Sequence, residues 1–219
     1  MKKLVFTLIF AFIVSVHAFP EMTFTLNTGV ILLDETYNDD GIEFKRYMPG
    51  FSEQFRFEIY GKNSVIGFFA QDEVGIYFND DEKVQPFSGF SASMVVGPSL
   101  IIRTPNSNVF LSLSLGPIIQ WYSETYYLVD AGGSRSLGAY TAFDFGGHGD
   151  LAIVIKTGDS FLIRLGVAGE MFFIRNESGR SIRAPDNNTL FSNISYTGYV
   201  IKPHIGFGLG YLFNNKAAK

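Results

Sequence analysis

The sequence predicts an all-β fold, specifically an eight-stranded antiparallel up-and-down transmembrane β-barrel. Eight stretches of the chain alternate between apolar residues and small or polar residues, and alternate residues of a strand point to opposite faces. Only 17% of the 219 residues are charged, whereas 47% are hydrophobic and 23 are phenylalanine. The connections between the stretches are short and long in turn, which is typical of a meander whose two ends differ.

Residues 1–18 lie before the predicted barrel and have the pattern of a secretory signal peptide. Two lysines are followed by a mostly apolar run, and Val16-His17-Ala18 places apolar or small residues before a cleavage point. The run is too short for a membrane-spanning helix; an uncleaved N-terminal anchor is the alternative. The predicted parts are a cleaved signal peptide at 1–18, a barrel with four long surface loops at 19–213, and a short polar tail at 214–219.

The predicted strands follow one another along the rest of the chain. The fifth is the clearest, because every odd-numbered residue from Val109 to Trp121 is apolar and most even-numbered ones are serine, glycine or glutamine. A helix would mix these two sets around its circumference. The eight predicted strands are Met22–Leu32, Phe51–Tyr60, Ile66–Phe78, Phe90–Arg103, Val109–Trp121, Tyr140–Lys156, Phe161–Phe173 and Tyr199–Phe213. Strands of this length suit a tilted crossing of a bilayer.

The connections predict which strand ends lie together. Short turns are expected at 61–64, 104–108 and 157–160, and long polar loops at 34–50, 79–88, 123–137 and 175–195. Antiparallel strands joined in this way place all short turns at one end of the barrel and all long loops at the other. Asp72 departs from the pattern, because alternation places it on the lipid face, and a bulge near Gln71 would turn it inward.

The polar face separates two architectures that share this alternation. A soluble barrel turns its apolar face inward and its polar face to water, whereas a membrane barrel does the reverse. The polar face here is mostly glycine, serine and threonine rather than lysine and glutamate. Small residues suit a narrow interior, so we predict a membrane barrel that must close, because lipid tolerates no open strand edge. A secreted soluble barrel remains the alternative.

Aromatic residues near the predicted strand ends indicate the interfacial girdles of a membrane barrel. Those chosen as girdle candidates are Phe51, Phe78, Phe90, Trp121, Phe143, Phe173, Tyr199, Tyr211 and Phe213.

The final strand carries the most motif-like pattern, Phe207-Gly208-Leu209-Gly210-Tyr211-Leu212-Phe213. With the export signal and the eight alternating strands, the mature chain resembles the small eight-stranded outer-membrane proteins of the OmpA, OmpX and OmpW type. The resemblance implies an outer-membrane location, contact with outer-membrane lipid, and recognition of the final strand by the outer-membrane assembly machinery. In that group an aromatic residue usually ends the chain, whereas six residues follow Phe213 here.

Charged residues on the polar face form the main candidate site. The predicted lumen charge network comprises Arg56, Glu58, Arg103, Asp144, His148, Asp150, Lys156, Arg164, Glu170, Lys202 and His204, with Glu73 beside it. Pairing the strands across the turn at 157–160 places His148 near Glu170. Buried charges need partners, so the network is expected to be an ion-paired plug; a gated narrow pore is the alternative.

Other function classes find little support in the sequence. The chain has no cysteine and a formal net charge of −4 without a basic block, which excludes cysteine-based metal sites and gives nothing to neutralise nucleic-acid phosphates. His148-Gly149-Asp150 is not accompanied by a nucleophile at His-x-Ser spacing. We therefore expect no enzyme activity, cofactor or metal site, and a role in the envelope or at the surface, with the loops binding a ligand. A narrow porin-like channel for small solutes or small apolar molecules is the main alternative, and a lipid-modifying enzyme is the weakest.

Overall fold

The computed structural model describes residues 21–39, 42–61, 64–78, 88–105, 108–129, 135–181 and 195–212. The predicted signal peptide and C-terminal tail lie outside these ranges. The strands are β1 (Glu21–Asp39), β2 (Ile42–Tyr60), β3 (Ile66–Phe78), β4 (Ser88–Arg103), β5 (Val109–Val129), β6 (Arg135–Thr157), β7 (Phe161–Ser181) and β8 (Ser195–Leu212). No helix in the described part of the chain is long and apolar enough to cross a membrane.

The eight strands form one closed barrel. Each strand pairs antiparallel with its neighbours in sequence, and β1 closes the barrel against β8, for example at Thr25↔Gly208. The predicted fold class is therefore confirmed. Closure leaves no strand edge within the barrel wall, which satisfies the backbone polar groups in lipid.

The two faces of the wall alternate as the sequence predicts. On β5 the leucines at 111, 113 and 115 are exposed, while Ser112 and Ser114 between them are fully buried. Similar rows of exposed Phe, Leu, Ile, Val and Met cover the outside of the other strands. An outer surface of this kind is stable in hydrocarbon and costly in water.

Several strands continue well into the regions expected to be loops. The ladder between β1 and β2 reaches Asp39↔Ile42, and that between β5 and β6 reaches Val129↔Arg135. Most of the loops predicted at 34–50 and 123–137, and the start of that at 175–195, are therefore strand. The prediction was wrong there because it relied on apolar alternation, and strands that extend into water do not need an apolar face.

A β-bulge on β7 changes which residues face the lumen. The pairing with β6 shifts by one residue between Phe145 and Gly146, so Phe173 and Ile174 both point outward. Simple alternation would have pointed Arg175 to the outside. After the bulge its side chain is instead buried inside, where only 1% of it is exposed.

No bulge rescues Asp72. Its pairing with Phe55 on β2 and Met94 on β4 belongs to two uninterrupted ladders, and its side chain is exposed on the outer surface. Glu53 on β2 is a second outward-facing carboxylate in the apolar belt.

The ladder between β4 and β5 is interrupted where both strands carry a Gly-Pro pair. Pairing runs to Val95↔Ile118 and resumes at Ser99↔Ser114. Pro98 and Pro117 have no N–H to donate across this seam. A Cβ on Gly97 would collide with the backbone carbonyl of Leu115, so the strands approach here as only glycine permits.

Candidate functional site

The interior of the barrel is filled by side chains, and its charged residues form four layers along the axis. All eleven residues of the predicted lumen network point inward. The layers follow one another from the end with the short turns to the end from which the long hairpins project.

The first layer lies at the short-turn end. The Glu21 carboxylate accepts hydrogen bonds from Arg103 and from Lys156, both at 3.1 Å. Their side chains are partly exposed, at 21% for Arg103 and 15% for Lys156. The layer therefore forms a solvent-accessible rim rather than a sealed core. Glu21 was not among the predicted residues, because it precedes the first apolar alternation.

The second layer, which we call the arginine layer, contains Arg56, Arg164, Glu58, Asp150 and His204. Arg56 pairs with Glu58 at 2.7 Å, and Arg164 lies 3.4 Å from the other oxygen of Glu58. Arg164 also pairs with Asp150, whose second oxygen lies 3.3 Å from Nε2 of His204. Two guanidinium groups thus face two carboxylates, and every member is buried.

The third layer, which we call the lysine layer, is centred on Lys202. Its Nζ lies 2.5 Å from Glu73 and 2.6 Å from Glu170. Gln54 donates a hydrogen bond to Glu73, and Nδ1 of His148 lies 3.1 Å from Glu170. The contact between His148 and Glu170 is the one expected from the turn at 157–160, and the two residues are direct ladder partners.

The fourth layer lies toward the long hairpins, and most of it was missed by sequence reasoning. Arg175 pairs with Asp144 at 2.6 Å and with Glu35 at 2.9 Å. Arg46 pairs with Glu35 at 2.6 Å and with Glu124 at 2.5 Å. Only Asp144 was predicted, since the other four lie in segments expected to be loops. The opposite charges of Glu35 and Arg46, which face each other across the β1–β2 hairpin, are a signal that would have found these two residues.

Apolar side chains separate the charged layers. The sequence had instead predicted a lumen lined mostly by small residues. One cluster at the short-turn end contains Tyr60, Ile101, Phe110, Val154 and Leu162. A larger cluster contains Ile31, Leu33, Met48, Phe69, Tyr77, Val95, Ile118, Tyr122, Ala142, Phe172 and Val200. It extends from the arginine layer, where Arg56 lies 4.2 Å from the Phe69 ring, to the fourth layer, where Arg175 lies 5.4 Å from the Tyr122 ring.

This arrangement suits a seal better than a passage. Buried ion pairs are stable only when their partners stay in place, and apolar constrictions exclude water and ions. Within the described part of the chain, neither His148 nor His204 forms a hydrogen bond with a hydroxyl group. The described residues also contain no group of three or more His, Asp or Glu that could hold a metal ion.

The girdle candidates with described side chains all lie on the outside of the barrel. Edge-to-face pairs join Phe51 to Phe78 and Phe90 to Trp121, with ring centroids 6.1 and 5.7 Å apart. The remaining exposed members are Phe143, Phe173 and Tyr199. Tyr211 lies on β8 but its side chain is outside the described part, as is the whole of Phe213.

The long strands project beyond the barrel as two separate sheets. The ladder between β4 and β5 ends at Gly89↔Glu124, although β5 continues to Val129. The ladder between β7 and β8 ends at Phe172↔Gly198, although β7 continues to Ser181. The projecting sheets are therefore β8–β1–β2 and β5–β6–β7, and beyond the closed barrel no ladder joins them within the described residues.

No protein-family model matches the chain, and no curated protein matches it in sequence. Among solved structures, it is similar to a major outer membrane protein from Thermus thermophilus, with 10% identity, a TM-score of 0.54, and coverage of 87% of this chain and 99% of the other. Neisserial surface protein A has 13% identity, a TM-score of 0.48 and coverage of 85% and 96%. Ail of Yersinia pestis has 14% identity, a TM-score of 0.42 and coverage of 88% and 99%.

The similarity to the Thermus protein shows a shared outer-membrane barrel fold. The apolar outer surface and the aromatic residues around it independently require a lipid environment. The chain is therefore an outer-membrane β-barrel.

Proposed function

We propose that this protein is a non-enzymatic surface protein whose sealed barrel anchors two projecting sheets that bind an extracellular partner. The observation that carries the proposal is that β5 and β7 continue five and nine residues past their last ladder partners on β4 and β8. Long connections of outer-membrane barrels lie on the extracellular side. The sheets would therefore face the surroundings of the cell.

The backbone of a projecting sheet suits recognition of an extended polypeptide. A strand that runs past its neighbour presents N–H and C=O groups that can pair with an added strand. The barrel below supports rigid presentation, because the β5–β6 ladder is continuous from Val109↔Ile155 at the short-turn end to Val129↔Arg135 at the far end of the described ladder. The filled lumen supports the non-channel part of the proposal.

Shortening one hairpin tests the binding role. Residues 125–139 would be replaced by Asn-Gly, which joins the Glu124↔Tyr140 pair through a two-residue turn. Cells carrying the shortened protein should bind a surface coated with extracellular-matrix protein at least tenfold less than cells carrying the full chain. Heat-modifiable gel mobility checks that both barrels have folded. Equal binding by the two folded proteins would refute the proposal.

Planar-bilayer recordings test the channel alternative separately. The purified full chain should show little or no steady conductance, because ion-paired and apolar layers occupy the lumen. Frequent, stable channels in the wild-type protein would favour a small porin instead. A lipid-hydrolysis assay with an active control enzyme should give no product; turnover would refute the non-enzymatic assignment.

A further inference from the structure

The outer face of the barrel carries one polar patch, formed by Thr28 on β1, Glu53 on β2 and Asp72 on β3. All three side chains are exposed on the outside of the wall. Between the aromatic residues near the two ends of the strands, the other outward-facing residues of the described strands are apolar or glycine. The polar groups of the membrane belt are therefore gathered in one place rather than scattered around the wall.

Strand pairing makes the three residues of the polar patch neighbours. Thr28 is the ladder partner of Glu53 on one side, and Val74, two residues along β3 from Asp72, is its ladder partner on the other. Residues related diagonally in this way on one face of a sheet lie about 7–8 Å apart. The polar patch thus spans three adjacent strands and combines one hydroxyl group with two carboxyl groups.

The polar patch lies deep in the membrane rather than at its surface. Asp72 is the central residue of the 13 in β3, and Phe68 and Phe78 are exposed toward the two ends of that strand. Aromatic residues of this kind mark the two edges of the apolar belt, so lipid headgroups stay outside the middle of the strand. Polar side chains at such a depth are costly unless a partner within the membrane satisfies them.

A second copy of the chain supplies matching groups at the matching depth. Rotation about the membrane normal leaves the depth of every residue unchanged, so a twofold axis in that direction brings two polar patches together at one level. Such an axis, passing through the patch, places the β1 side of one copy opposite the β2–β3 side of the other. The Thr28 hydroxyl group of each copy then faces a carboxyl group of the other copy.

We propose that the chain forms a twofold-symmetric dimer within the membrane through the outer faces of β1, β2 and β3. Thr28 of each copy donates a hydrogen bond to Glu53 or Asp72 of the other. A carboxyl oxygen accepts this bond whether the group is ionised or neutral. Apolar side chains around the patch, such as Val30, Phe55 and Val74, pack against the second copy. The dimer does not depend on what the projecting sheets bind.

Self-association in lipid vesicles tests the dimer with the full mature chain. The chain has no cysteine, so a single Asp159→Cys change in the exposed turn after β6 can carry a fluorescent label. Energy transfer between donor-labelled and acceptor-labelled wild-type barrels should rise with the protein-to-lipid ratio. Thr28→Val keeps the side-chain shape but removes two symmetry-related hydrogen bonds, so it should weaken association about tenfold. Thr28→Ser keeps the hydroxyl group and should associate like the wild type.

The Glu53→Leu/Asp72→Leu double variant separates association from folding. At low protein-to-lipid ratios, where the barrel is a monomer, it should be at least as stable in urea as the wild type, because no carboxyl group faces lipid. It should nevertheless lose the energy transfer. Gly169→Ile on β7 is the control on the opposite side of the barrel, where an added Cβ meets no atom within 4 Å, and it should associate like the wild type.

Several outcomes would overturn the dimer. One is a wild-type barrel that shows no energy transfer at any protein-to-lipid ratio. Another is undiminished association in either Thr28→Val or the double variant, and a third is association lost in Gly169→Ile. Association that disappears when divalent cations are chelated would assign the carboxyl groups to a bridging metal ion, and it would also refute the hydrogen-bonded dimer.

Discussion

The two faces of the barrel wall are formed by the same strands, but their side chains lie in opposite environments. The outer face is a nearly continuous apolar surface interrupted by Glu53 and Asp72, whereas the inner face holds ion pairs between apolar clusters. Adjacent residues on one strand therefore lie in different surroundings, as the carboxylates of Asp72 and Glu73 show. Glu73 has Lys202 and Gln54 as partners, while Asp72 faces lipid between Phe55 and Met94.

Position relative to the wall, rather than residue type, sets the energetic role of a charge. Inside, a carboxylate is supported by a cation from another strand, and removing either partner leaves a buried charge. On the outer face, a carboxylate is surrounded by hydrocarbon and has no cation beside it, so it lowers the stability of the barrel. Substitutions on matched positions of the two faces should therefore differ in size and even in sign.

The largest effect should come from breaking the arginine layer. Arg164→Ala removes one of the two cations that Glu58 and Asp150 share, and it should lower the free energy of unfolding by about 3–5 kcal/mol. Urea unfolding in lipid vesicles measures this. Arg103→Ala, at the partly exposed rim, is the control and should cost about 0–1 kcal/mol. Equal losses would mean that burial does not distinguish the two layers.

A charge placed on the outer face should rank next. Leu113→Arg puts a cation in the apolar belt and should cost about 2–4 kcal/mol or block assembly. Tyr47→Arg, on the outer face beyond the girdle residue Phe51, should cost about 0–1 kcal/mol because it lies near or beyond the interface. The two variants would be compared by unfolding free energy and by the folded fraction on gels. If Tyr47→Arg proves the more severe, the membrane belt has been assigned to the wrong rows.

Glycines on the two faces offer a smaller contrast. Gly97→Ala would push a methyl group into the Leu115 carbonyl at the β4–β5 seam, which should cost about 1–3 kcal/mol. Gly147→Ala points outward into open space, and it should change the free energy of unfolding by less than about 0.5 kcal/mol. Thermal or urea unfolding distinguishes them. Similar values for both would show that the seam relaxes at little cost.

The smallest expected effect is a gain in stability. Asp72→Leu replaces an outward-facing carboxylate with an apolar side chain and should raise the free energy of unfolding by about 1 kcal/mol. The neighbouring change Glu73→Leu should instead lower it, because Lys202 and Gln54 lose an inward-facing partner. A loss of stability in Asp72→Leu would show that the wild-type carboxylate has a favourable contact on the outer surface.

Local alternation was sufficient to predict the number, order and facing of the strands within the membrane. It could not predict how far β5 and β6 extend, because beyond the lipid no apolar face is required. It assigned Arg175 to a loop, and a bulge at Phe173 and Ile174, which no local pattern specifies, turns this residue of β7 inward. The apolar lumen clusters were missed for a related reason: alternation reports which residues share a face, but not how closely a narrow interior packs large ones.

Within the candidate site, the sequence predicted the inward charges but only one of their contacts. His148 and Glu170 could be placed together because a short turn fixes the register of β6 and β7. The contacts of Lys202 with Glu73, and of Arg164 with Glu58, cross the barrel between strands that are not neighbours. Such contacts depend on barrel closure and side-chain reach, which no local pattern specifies.

The span of these ion pairs along the chain has a consequence for the order of assembly. Glu21 and Glu35 both lie on β1, yet their partners include Lys156, 135 positions after Glu21, and Arg175, 140 positions after Glu35. The first strand thus carries carboxylates that have all their cations only after β6 and β7 have been synthesised, although Arg103 on β4 and Arg46 on β2 come earlier. A partly built barrel would leave these ion-pair layers incomplete. Insertion and closure are therefore expected to proceed together, with few stable states between the unfolded chain and the complete barrel.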